Sequence, residues 1–290
     1  MNYQQFKKNI ITELKDYLPR CYADWRLEIR EMPKVNGYMD GINLLPKEGS
    51  GASPTLYVED LFQYYQKCKS MEKVCQRAAS TFVIGMDYAA HMGKTACLDL
   101  PKEQIVYCLI HADENQRLLE NAPHRMILDM ALIYRVVLLH DDEGINSTIV
   151  TDDVAEYMGL TEEELYKLAE CNTPRVLPAA IHFHDKDFAI MTNQYKVMGA
   201  SVMLYPGELK AAADQLESDL FILPSSIHEI FLIPTMGQSI SDMNRTMVEA
   251  NNTMIPPEDV LAHHVYFYDR DRDMVGIPVE LPDLFEEESE

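Results

Sequence analysis

Apolar residues at Phe6, Ile10, Leu14 and Leu18 recur every four positions, with Lys7, Lys8 and Lys15 between them. That spacing draws one stripe along a helix and predicts an amphipathic N-terminal helix stopped by Pro19. From Trp25 the period falls to two: Leu27 and Ile29 alternate with Arg26, Glu28 and Arg30, as in a half-buried strand. Asn36-Gly37 supplies two turn positions that tolerate positive φ, so Met39, Gly41 and 42–45 read as the returning strand of a hairpin. A Gly/Ser/Pro-rich loop, 47–54, then precedes two expected helices, about 58–69 and 71–91. Leu61, Tyr64, Tyr65 and Cys68 mark the buried face of the first.

The helical pattern breaks over 93–101, and beyond it strands alternate with helices. Strands are expected at 105–110, 131–139, 147–150, 188–191 and 201–205. The short apolar runs 221–223 and 230–233, ended by Pro224 and Pro234, read as buried strands. Thr151 and Asp152 cap a short helix ending at Gly159, and Thr161 to Glu164 form a capping box that opens the next. Helices at 206–216 and 241–251 and a hairpin, 265–268 with 274–277, complete the reading. The fold class is α+β. An N-terminal helix, β-hairpin and helical pair (1–95) is followed by an acidic α+β region (100–280) with a larger, mixed, mostly antiparallel sheet and interspersed helices, and by an acidic tail expected to be disordered (281–290).

Apolar residues make up 47% of the 290 positions, enough to offset the ordering entropy of a folded chain. The longest apolar stretch, 127–139, is interrupted by Asp129 and Arg135, so no membrane-spanning helix is expected. The charged N-terminus does not read as a secretory signal, and the expected location is cytoplasmic. Six cysteines without a Cys-x-x-Cys pair argue against a zinc ribbon or a disulfide framework.

Charge changes the picture more. Residues 1–100 hold 13 Lys/Arg against 12 Asp/Glu, a net of +1, whereas 101–290 hold 12 against 35, a net of −23. A field of that sign repels phosphate backbones and anionic lipid. Direct nucleic-acid binding and membrane binding are therefore excluded as expectations, and a basic protein partner is favoured.

Several segments carry a resemblance: Lys34-Val35-Asn36-Gly37, Ser53-Pro54-Thr55-Leu56-Tyr57, Met198-Gly199-Ala200 and the run from Ser218 through Leu223-Pro224-Ser225-Ser226 to Glu229. Together, over about 25–277, the chain resembles an uncharacterised bacterial family, domain of unknown function 5688. From Thr151 onward it is also distantly similar to a second uncharacterised bacterial family. Both resemblances bear on fold and location and imply no activity, cofactor or site residue.

Among candidate reactive groups, His182 and His184 lie two apart on an expected strand, so both imidazoles project to one face. With Asp185 beside them they could hold a divalent metal, given a third ligand from His140, Asp141 or His228. Ser225 and Ser226 follow a strand, with His228 nearby, so a nucleophilic serine can be drawn; the alternative has Ser225 capping a short helix that contains His228 and Glu229. Gly93-Lys94-Thr95 lacks the earlier glycine of a phosphate loop, where Tyr88 stands. Asp269, Asp271, Asp273 and Glu280 echo calcium-loop spacing, but Met274 occupies the position that needs glycine, and a hairpin turn is expected. Tyr57, Phe62, Tyr64, Tyr65 and Tyr88 form either core or a docking face. The resulting expectation is a non-enzymatic cytoplasmic binding or regulatory protein with an acidic surface and no cofactor. The alternatives are a metal-dependent hydrolase using His182 and His184, and a nucleic-acid-mimicking inhibitor of a basic protein.

Overall fold

The computed structural model describes residues 1–46, 54–91, 100–141, 144–224 and 226–279. The chain divides into two compact units, Met1–Asp99 and Leu100–Glu290. Gly93-Lys94-Thr95, Ser225 and the acidic tail 281–290 fall outside the described residues.

In the first unit, helix α1 (Tyr3–Glu13) begins with a capping box. The Asn2 side chain accepts from the Gln5 N–H at 2.9 Å, and the Gln5 side chain accepts from the Asn2 N–H at 3.3 Å. Two orphan amides at the helix start are thereby satisfied. Strands β1 (Arg26–Lys34) and β2 (Gly37–Leu45) pair antiparallel from Arg26 opposite Leu45 to Lys34 opposite Gly37, with Asn36 left-handed in the turn. A third strand, β3 (Thr55–Tyr57), adds to β2. Helices α2 (Val58–Cys68) and α3 (Met71–His91) follow. Phe6, Ile10, Leu27, Ile42, Leu44 and Phe82 belong to one buried cluster, as the four-residue and two-residue periods require. Phe62 and Tyr65 pack their rings on Phe6 at 5.2 and 5.5 Å, so these two aromatics line the core.

The second unit places its strands in two antiparallel sheets. Strand β4 (Ile105–His111) is buried over six of its seven residues. Helix α4 (Gln116–Leu119) leads to β5 (His124–Ile127), and β6 (Met130–Asp141) takes the centre, pairing with β4, β5 and β7 (Gly144–Ile149). Helix α5 (Asp152–Met158) is capped by Thr151 and closed by left-handed Gly159. Helix α6 (Glu162–Val176) opens on the Thr161–Glu164 capping box. Then come β8 (Ala179–His184), β9 (Phe188–Asn193), α7 (Glu208–Leu216), β10 (Leu220–Leu223), β11 (Ile230–Pro234), α8 (Ile240–Thr253), β12 (Tyr266–Asp269) and β13 (Met274–Gly276). The six-stranded sheet has the order β13-β12-β10-β11-β9-β8. Among the described residues no helix is long and apolar enough to cross a membrane.

One expected strand is not a strand. Residues 199–204 form a 3-10 helix, with Met198 left-handed before it and Gly199 through Met203 all buried. A strand on a sheet face alternates its environments, whereas this segment is enclosed on every side and its small residues let it wind tightly. Its position has a use. The Ser201 hydroxyl accepts from the Leu109 N–H at 3.0 Å, and the Thr173 hydroxyl of α6 accepts from the Tyr107 N–H at 3.0 Å. Two outward amides of β4, an edge strand, are thereby satisfied by side chains rather than by another strand.

Candidate functional site

Between β10 and β11 the chain crosses the end of the six-stranded sheet without forming a helix, which corrects the expectation that His228 and Glu229 lie in a short one. What forms instead is a bridge. Ser226 pairs with Val260, and the Ile227 N–H donates to the Asp259 carbonyl at 2.8 Å. These contacts to a distant loop absorb the backbone groups that a helix would have used. Buried Ser226 accepts from the His228 N–H through its hydroxyl oxygen at 3.0 Å, a local turn bond.

The His228 ring is engaged at both nitrogens. Nδ1 accepts from the Met198 N–H at 3.2 Å, and Nε2 lies 3.1 Å from Asp259 Oδ1. A backbone amide can only donate, so Nδ1 carries no proton, and the neutral ring donates Nε2–H to the Asp259 carboxylate. No ring lone pair remains to take a proton from a serine. Ser226, His228 and Asp259 thus assemble the residue types of a catalytic triad without its nucleophile–base contact. The arrangement fastens loops: the His228 carbonyl accepts from Thr192 Oγ1 at 2.8 Å, and Gly199 sits so close that an added Cβ would lie 2.4 Å from that carbonyl. The segments 198–200 and 218–229, two of those that carry the family resemblance, meet at this point.

His182 and His184 are both exposed on β8, the terminal strand of the six-stranded sheet. The His184 ring stacks on Phe188 at 4.4 Å, and Asp185 is exposed in the following turn with φ 51°. His228 precedes β11, two strands further in. Among the described residues no group of three or more His, Cys, Asp or Glu side chains is placed to hold a metal ion, and the side chains of His140 and Asp141 fall outside that description.

A cluster that the sequence reading passed over lies where the β5–β6 turn meets the start of β12. Asp129 accepts from the Tyr266 hydroxyl at 2.5 Å and lies 2.6 Å from His264 Nε2. His264 Nδ1 is 3.0 Å from the Val265 carbonyl. A carbonyl and a carboxylate both need a donor, so the ring is held as the imidazolium. Burial works against the charge of His264, but the bonds to Asp129 and to the Val265 carbonyl outweigh it and raise the pKa. Asp129 is likewise disfavoured by burial, yet the bonds from His264 and Tyr266 lower it overall. Nearby, the His111 and His263 rings stand 5.0 Å apart, and burial followed by the His263 charge lowers His111. This is an ion pair joining two sheets beside a neutral imidazole. Its one legible signal was the adjacent pair His263-His264.

Several cations of the acidic unit are paired with its own carboxylates. Arg125 bonds Glu162 at 2.6 Å and also reaches Glu163 while its guanidinium lies over the Tyr166 ring. Lys186 pairs with Glu217 at 2.6 Å, Lys210 and Arg270 with Asp214 at 3.0 and 2.7 Å, and Arg245 with Asp242 at 2.5 Å. Asp113, Glu114, Glu120, Asp152, Asp153 and Glu156 are exposed. In the first unit a mostly apolar groove of about 460 Å³ is lined by Tyr17, Pro19, Ala79, Val83 and Ile84 together with Gln76 and Ser80.

A family model described as a family of unknown function (DUF5688) matches residues 3–186 and 182–270. No curated protein and no solved structure matches the chain.

Proposed function

The chain belongs to this family of unknown function, DUF5688, which brings no activity with it, and from the geometry alone we propose a non-enzymatic binding or regulatory protein whose acidic unit engages a basic protein partner in the cytoplasm. The observation that carries this reading is the disposition of charge. Residues 100–290 contain 12 Lys/Arg and 35 Asp/Glu, and Arg125, Lys186, Lys210, Arg245 and Arg270 are spent on carboxylates of the same unit. Asp113, Glu114, Glu120, Asp152, Asp153 and Glu156 face water, and an excess of carboxylates sets up a long-range negative field, which speeds encounter with a cationic surface and repels phosphate chains. The doubly engaged His228 ring supports the same reading, because it is not free to act as a base for Ser226.

The test is capture from a native lysate by the full chain, followed by a salt ladder. A retained protein of basic isoelectric point, released as ionic strength rises from about 0.1 to 0.5 M, is the expected result. Recovery of no partner, together with turnover of a metal-dependent substrate, would overturn the reading. Stoichiometric zinc or manganese in the purified protein, lost on His182→Ala, would move the assignment to a metal-assisted hydrolase.

A further inference from the structure

We infer that β8 is a docking edge on which an extended basic segment of a partner protein adds as a further strand, an inference that rests on the binding role proposed above. Strand β8 ends the six-stranded sheet: β9 pairs with it on one side, and no described strand lies on the other. None of its six residues is buried. An antiparallel strand directs alternate N–H and C=O groups away from its partner, so the open side of β8 offers a row of unpaired main-chain groups.

Three other described edges are blunted. The Tyr107 and Leu109 amides of β4 are satisfied by the Thr173 and Ser201 hydroxyls. Strand β1 carries Arg26, Glu28, Arg30, Glu31 and Pro33, and β13 is only three residues long. Strand β8, Ala179-Ala180-Ile181-His182-Phe183-His184, has no proline, no lysine and no carboxylate, and its register with β9 runs unbroken over all six positions. It lacks the devices that keep an edge from recruiting a strand.

Charge selects the occupant. At the end of β8 the turn exposes Asp185 and Asp187, and Lys186 between them is paired with Glu217 at 2.6 Å. That turn is therefore net negative, with the charge of Lys186 neutralised by Glu217. An incoming strand would gain main-chain bonds from β8, set alternate side chains beside His182 and His184, and bring lysine or arginine to Asp185 and Asp187. A second copy of this chain carries the same net charge of −22, and the tail 281–290 carries five carboxylates and no cation, so like charge disfavours both.

Fluorescence anisotropy with the full chain and a labelled hexapeptide alternating lysine and valine tests this, with a glutamate–valine peptide as control. The lysine peptide is expected to bind with one-to-one stoichiometry and to weaken steeply with salt, while the glutamate peptide does not bind. Adjacent N–H groups point to opposite sides of a strand, so of Ile181→Pro and His182→Pro only one removes an outward amide. That variant is expected to keep the parent thermal unfolding profile and lose at least about tenfold in affinity. Asp185→Asn with Asp187→Asn is expected to lower affinity and flatten the salt dependence. Binding of the lysine peptide unaffected by either proline variant would overturn the docking edge while leaving the acidic-surface reading intact. Equal binding of the glutamate peptide, or dimers of the chain that Ile181→Pro or His182→Pro dissolves, would also overturn it.

Discussion

Gly199 occupies a position that no side chain can share: an added Cβ would lie 2.2 Å from Thr192 Oγ1, 2.4 Å from the His228 carbonyl and 2.8 Å from the Asn193 nitrogen. Two of these neighbours are main chain and cannot swing aside. Gly199→Ala is expected to destabilise the fold by about 1–3 kcal/mol, read as a lower urea midpoint. Thr173→Val would strand the buried Tyr107 N–H and is expected to cost a similar ~1–3 kcal/mol, whereas Thr173→Ser keeps the acceptor and most of the stability. The Asp129–His264 pair sets a pH window. His264 is raised in the fold, so its contribution is complete below its unfolded value of 6.5 and disappears as pH climbs through the folded value. Asp129 is lowered, so its contribution is complete above 3.8 and disappears as pH falls through the folded value. The stability gap between the parent and Asp129→Asn is thus expected to be widest from about pH 4 to 6.5 and to narrow above it, as thermal melts across pH would record. An unchanging gap would contradict the pair.

At the scale of elements, what could be read along the chain was whatever local chemistry determines. Helix α6 was legible because Thr161 and Glu164 cap each other within one turn, and Thr161→Ala is expected to cost about 1 kcal/mol in thermal or urea unfolding. The β1–β2 hairpin was legible because Asn36-Gly37 fixes its turn and the alternation fixes its face. Segment 201–205 misled because Val202-Met203-Leu204 has the composition of a strand, while its conformation is set by burial on all sides. Strand β5 went unnoticed because His124-Arg125-Met126-Ile127 has little apolar alternation and is held in the sheet by β6. The candidate site was legible only in its residue types. Ser226 and His228 are neighbours in sequence, but the ring's tautomer is decided by Met198 and Asp259, each about thirty residues away. His264 and Asp129, 135 residues apart, could not be joined by inspection.

For the whole molecule, the net of −23 on residues 100–290 makes self-repulsion a standing cost of compactness. Moderate salt is therefore expected to raise the thermal midpoint of the full chain between about 0.02 and 0.3 M, because screening of many like charges outweighs the weakening of individual surface pairs. A midpoint that falls with salt would mean that the ion pairs dominate. The contrast between the units has another consequence. The first unit, with 13 Lys/Arg and 12 Asp/Glu, sits close to its own isoelectric point at neutral pH and leaves Ile84 69% exposed beside its groove. Alone it would have little colloidal repulsion to keep copies dispersed. Its covalent neighbour supplies that repulsion in the manner of a built-in solubility tag, so cleavage at the junction of Asp99 and Leu100 should release one fragment that clumps and one that stays in solution.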